Sequence, residues 1–150
     1  MKPAPGTYAL ILQSHATARI QIGRWREIDI EPGYYIYIGS AFGPGDVRAR
    51  FSRHFRANKP NHWHIDYLSE YVTPLAAWVN YEPEKFEHQW AHALFEMSGL
   101  SSIQGFGCSD CRCYSHIFHT TAPPAISRFA NIVGNEVEVW LSRHCSGLSE

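Results

Sequence analysis

The stretch Tyr34–His54, YYIYIGSAFGPGDVRARFSRH, decides how the rest of the chain is read. Tyr35, Tyr37 and Gly39 alternate with Tyr34, Ile36 and Ile38, the two-residue period of an extended strand. Both faces are largely apolar, so the strand is expected at the centre of a sheet covered on each side. The small run Gly39-Ser40-Ala41 lets another backbone or a ligand come close. Gly43-Pro44-Gly45 breaks the strand, and Asp46 is a natural N-cap for a helix starting at Val47. On that helix Val47, Phe51 and Phe55 form a core stripe at i, i+4 and i+8. Arg50 and His54 share a flank that borders the stripe. A strand, a small-residue turn and a basic helix can together place tyrosine hydroxyls, guanidinium groups and an imidazole around one phosphate.

Upstream, Gly6–Leu12 reads as a strand with Tyr8, Leu10 and Leu12 on one face and Thr7, Ala9 and Ile11 on the other. Ala18–Ile22 and Arg26–Ile30 alternate around Gly23 and read as a hairpin with one wet face. Glu31-Pro32-Gly33 is a turn. Downstream, Asn61–Tyr71 contains a short helix or a turn followed by one, and Pro74–Tyr81 is a further strand. Pro83 suits the first position of a helix running to Ser98, with Gly99 at its stop. Its core face is Phe86, Trp90, Ala93, Leu94 and Met97, and Glu87 borders that face, a position that usually carries a surface carboxylate and is also where a pocket-facing metal ligand would sit. A helix over about Ala125–Ile132 and a strand at Val137–Leu141 follow.

The chain has 150 residues, 45% of them hydrophobic and 18% charged, which fits one folded domain and excludes a disordered chain. Net charge is −1, so any nucleic-acid site must come from local clustering. The apolar run near the N-terminus is too short for a signal-peptide core or a membrane span, which makes the cytoplasm the expected location and a membrane an unexpected partner.

Three of the four cysteines fall within Cys108–Cys113. With His116 they give C-x2-C-x-C-x2-H, a donor set that suits tetrahedral Zn²⁺ although it is tighter than the usual two-pair spacing. Two other readings stay open: reduced cysteines in a buried turn, or Ser109, Asp110 and His116 lining a pocket.

Tyr8, Tyr37, Arg50, His54, His64 and Glu87, taken in this order, resemble the GIY-YIG nuclease superfamily. Gly6-Thr7-Tyr8 stands for the first motif, with Thr as its middle residue, and Tyr37-Ile38-Gly39 is the second. Arg50 with His54 matches the helix arginine and the histidine four residues later. His64 matches a further histidine and Glu87 the late glutamate. The runs HWHIDYL and GFGCSDC resemble an uncharacterised branch of that superfamily, also found fused to endonuclease III-like proteins. The resemblance covers about residues 5 to 120.

That resemblance implies an α+β fold of the α/β sandwich type, a small, mostly antiparallel central sheet flanked by helices. The hairpin is inserted between the two motif strands and is expected to fold outward, so that Tyr8 lies beside Tyr37. The implied activity is hydrolysis of DNA phosphodiesters, with Mg²⁺ or Mn²⁺ held by Glu87 and a DNA-repair protein as an expected partner. Arg48, Arg53, Arg56 and Lys59 would then contact the nucleic-acid backbone, although Arg48, Arg56 and Lys59 taken singly are also what a solvated helix face carries. A nucleic-acid-binding module without catalysis and a zinc-stabilised interaction domain are the alternatives.

Overall fold

A computed structural model describes residues 2–43, 45–56, 60–61, 63–108 and 112–141. Along the chain come β1 (Gly6–Ser14), β2 (Ala18–Ile22), β3 (Arg26–Ile30), β4 (Gly33–Ala41), α1 (Val47–Phe55), a 3-10 helix at His64–Leu68 and β5 (Val72–Asn80). They are followed by α2 (Glu87–Phe95), β6 (Ser101–Ser102), β7 (Ile117–Thr120), α3 (Ile126–Val133) and β8 (Glu138–Leu141). Six strands form one sheet in the order β6-β7-β4-β1-β5-β8, and β2 with β3 forms a separate two-stranded sheet. Every pairing among the described residues is antiparallel. The fold is α+β, a mostly antiparallel central sheet flanked by helices, as the sequence leads one to expect.

The two motif strands are neighbours at the centre. Tyr8 stands opposite Gly39 and Leu10 opposite Tyr37, so the two tyrosines lie diagonally on one face. Gly39 makes room for Tyr8 against β4, and Gly6 lets β1 approach β5. A Cβ at Gly39 would meet the Tyr8 hydroxyl at 2.5 Å, and one at Gly6 would meet the Asn80 carbonyl oxygen at 2.5 Å.

Each sheet face has its own core. On the tyrosine face Tyr8, Leu10, Leu12, Tyr35 and Tyr37 pack with Val47 and Phe51 of α1 and with Ile65 and Leu68 of the 3-10 helix. On the other face Ala9, Ile11, Ile36 and Ile38 pack with Phe86, Trp90 and Leu94 at α2 and with Phe129 and Val133 of α3. The Asp46 side chain caps α1 by accepting the Ala49 amide at 2.8 Å. The Phe55 side chain, the third member of the expected stripe, lies outside the described ones.

Several expectations need correction. The hairpin does not fold outward. Ile20, Ile22, Ile28 and Ile30 are buried against the tyrosine face, because a hairpin with one apolar side gains more by covering the sheet than by extending into water. The helix expected from Pro83 begins at Glu87, and it ends at Phe95, short of Ser98. The Phe86 amide donates to the Thr7 hydroxyl on β1 (3.2 Å), which anchors the first turn there. Within α2, Ala91 is buried and Ala93 only half-buried. β5 opens two residues before Pro74, and a bulge between Ile11 and Leu12 accommodates that proline beyond the reach of β8. β7, which lies beside β4, was not expected as a strand. Among the described residues no helix is long and apolar enough to cross a membrane.

Candidate active site

β1 and β4 carry Tyr8, Tyr37 and Ser40 to one end of the sheet, where α1 supplies Arg50 and the first turn of α2 supplies Glu87. Between them is an open cleft of about 600 Å³, lined by these five side chains together with Gly39, Phe42, Trp63, His64, Lys85, His88 and Gly107. A second depression of about 730 Å³, bordered by Lys2, Tyr81, Glu82, Glu136 and Glu138, is larger but holds none of the motif residues.

The Tyr8 hydroxyl is 3.2 Å from Nε2 of His54, which is itself buried behind the cleft. Burial raises the Tyr8 pKa well above its ordinary value, and the charge of Arg50 only partly opposes this. Tyr37 is raised in the same way, chiefly by burial. Both phenols are therefore neutral near pH 7 and act as hydrogen-bonding groups. Arg50 is half-buried. It donates to the Ser40 carbonyl oxygen at 2.9 Å and lies 4.8 Å over the Trp63 ring, two contacts that hold the guanidinium at the cleft wall.

Glu87 stands in the first turn of α2, where the helix dipole favours a carboxylate. Its Oε1 accepts from the Ser40 hydroxyl at 2.5 Å and its Oε2 from Nδ1 of His116 at 2.8 Å. Burial raises the Glu87 pKa, but the hydrogen bonds from His116 and Ser40, with the charges of His116 and His88, outweigh it, so the carboxyl sits below its ordinary value. His64 stacks on Trp25, the residue at the turn of the hairpin, with centroids 4.5 Å apart. Its Nδ1 accepts the Gly107 amide at 2.9 Å, so in the neutral ring Nε2 carries the proton. Burial lowers its pKa.

Residues 7–138 match the family described as Domain of unknown function DUF123. The chain belongs to that family. No curated protein and no solved structure matches it.

In this DUF123 chain, five of the six residues singled out for catalysis line the cleft, and His54 supports Tyr8 from behind. The basic helix divides differently from the expectation. Arg48 and Arg56 are exposed, as backbone contacts would be. Arg53 is instead taken up by Asp66, a fully buried carboxylate, through two bonds of 2.8 and 3.0 Å, and it also donates to the Pro60 carbonyl oxygen. A buried carboxylate claims the nearest guanidinium, so Arg53 is part of the fold and not a phosphate contact. Lys59 lies outside the described residues.

The cysteine set is also redrawn. Cys111, Ser109 and Asp110 lie outside the described residues, and Cys108 donates to the Phe106 carbonyl oxygen at 3.4 Å. The donor atoms that come together, all within 4.8 Å of one another, belong to His88, Cys113 and His116. Sequence reasoning missed His88, Ser40, Lys85 and Trp25. The adjacency of His88 to Glu87 was the available signal for the first. Nothing local marks Trp25, whose place depends on where the hairpin docks.

Proposed function

We propose that the chain is a GIY-YIG-type nuclease that hydrolyses phosphodiester bonds in DNA with Mg²⁺ or Mn²⁺. One arrangement carries this reading: Tyr8, Tyr37, Arg50, His64 and Glu87 line a single open cleft although they come from five separate segments of the chain. Such a convergence of a guanidinium, an ionised carboxylate and buried hydroxyls suits a reaction that gathers negative charge on phosphoryl oxygens.

The donor chemistry fits a hard divalent ion. Glu87 offers one ionised carboxylate, and each of its oxygens keeps a lone pair beside the bond it accepts from Ser40 or His116. A single carboxylate suits Mg²⁺, which keeps most of its water shell. When bound there, the ion supplies positive charge that polarises the scissile phosphate. Arg50, held by Ser40 and Trp63, binds and neutralises phosphoryl oxygens. Tyr8 orients the attacking water. As the water oxygen bonds to phosphorus, the Tyr8 hydroxyl takes its proton and passes its own to Nε2 of His54, so the phenol stays neutral. Meanwhile the P–O bond to the leaving sugar oxygen breaks, and that oxygen takes a proton from solvent in the open cleft. Tyr37 and His64, with its Nε2–H, donate hydrogen bonds within the cleft. Arg48, Arg56 and Lys85 supply exposed positive charge for the DNA backbone.

The test is nicking of supercoiled plasmid by the purified chain with Mg²⁺ or Mn²⁺. Glu87→Gln is expected to lower the rate by about 10²–10³-fold while circular dichroism stays unchanged. No cleavage with either ion, or full cleavage by Glu87→Gln, would overturn the reading.

A further inference from the structure

We propose that His88, Cys113 and His116 form a zinc site beside the cleft. Their donor atoms all lie within 4.8 Å of one another. His88 comes from α2 and Cys113 and His116 from the segment leading into β7, so the cluster depends on two distant parts of the chain meeting. The two imidazole centroids are 5.9 Å apart, with rings inclined at 69°.

The surroundings of His116 point to a metal independently. Its ring is buried, and its Nδ1 donates to the Glu87 carboxylate at 2.8 Å. A metal-bound imidazole commonly gives its second N–H to a carboxylate, which fixes ring orientation and tautomer. With Nδ1 directed at Glu87, Nε2 is the nitrogen a metal would take. One thiolate with two imidazoles favours zinc over Mg²⁺ or Mn²⁺, and three protein ligands leave a fourth position for water or another donor. His88 is exposed, Cys113 half-buried and His116 buried, a gradient that gives the ion a path in from solvent. The site would tie the cysteine-rich segment to α2 and hold His116 against Glu87. The inference does not depend on the nuclease reading, because it concerns binding alone.

The test uses the full chain purified without chelator. Metal analysis is expected to find about one zinc per chain. Exchange with Co²⁺ is expected to produce a thiolate-to-cobalt charge-transfer band. Cys113→Ser should abolish the band. His88→Asn, at an exposed position that leaves the core intact, should lower zinc affinity while circular dichroism is preserved. Glu87→Gln should weaken zinc by about 10–100-fold, as loss of a carboxylate behind a ligating histidine does. A wild-type chain with neither zinc nor a cobalt–thiolate band, or zinc content undiminished in both ligand variants, would overturn the proposal.

Discussion

Nδ1 of His116 stands 2.8 Å from Oε2 of Glu87, and this contact joins the two chemically distinct parts of the molecule. On one side of it lies the cleft with Tyr8, Tyr37 and Arg50. On the other lies the His88, Cys113 and His116 cluster. Glu87 therefore faces the proposed phosphate site while orienting a residue of the proposed zinc site. Changes at either site are expected to be felt at the other through this one carboxylate.

Tyr8 and His54 should behave as one unit. Tyr8→Phe removes the hydroxyl 3.2 Å from His54 and leaves the buried ring in place. The expected stability loss is about 1 kcal/mol, the worth of one hydrogen bond. The nicking rate is expected to fall by about 10²–10⁴-fold. Because both residues serve the same proton path, the double variant with His54→Ala should be little slower than the worse single one. Simple multiplication of the two losses would show that they act separately.

Arg50 and Arg53 sit on the same helix and should fail in different ways. Arg53→Met strands the fully buried Asp66 carboxylate and is expected to cost about 3–5 kcal/mol in a denaturant titration. Arg50→Met removes no partner of a buried charge, so its midpoint should stay near that of the parent while cleavage is lost. An Arg53 variant of parental stability would show that the pair with Asp66 is not formed in solution.

Acidification should weaken the fold through His64. Burial lowers the folded-state pKa of this ring below the ordinary 6.5, and the Gly107 amide needs its Nδ1 as an acceptor. Above pH 6.5 both folded and unfolded chains carry neutral His64, and this contribution to stability is complete. As pH falls through 6.5 the unfolded chain takes up a proton first, so stability declines until pH reaches the lowered folded value. Denaturant titrations across this window should show the decline in the parent and a smaller one in His64→Asn.

Gly39 should resist enlargement. A Cβ there would lie 2.5 Å from the Tyr8 hydroxyl oxygen and 2.6 Å from the ring carbon that bears it. Gly39→Ala is expected to cost about 1–3 kcal/mol and to displace Tyr8 from His54. Gly43→Ala, where a Cβ meets nothing within 4 Å, is the control for packing and should leave thermal stability unchanged.

What the sequence determined by itself was local. Two-residue alternation placed Tyr8 with Leu10 and Tyr35 with Tyr37 on one sheet face, and four-residue spacing put Arg50 and His54 on one flank of a helix capped by Asp46. These periodicities are built into strand and helix geometry, so they survive whatever surrounds them. The resemblance carried by the order of the motif residues pointed to side chains that line one cleft. Tertiary structure alone decided the partners. Asp66 separates Arg53 from Arg50, Thr7 moves the start of α2 to Glu87, and β7 brings His116 to that carboxylate. Docking of the hairpin puts Trp25 against His64. Such pairings depend on which distant segments pack together to cover apolar faces and satisfy buried polar groups, and no window of neighbouring residues encodes that choice.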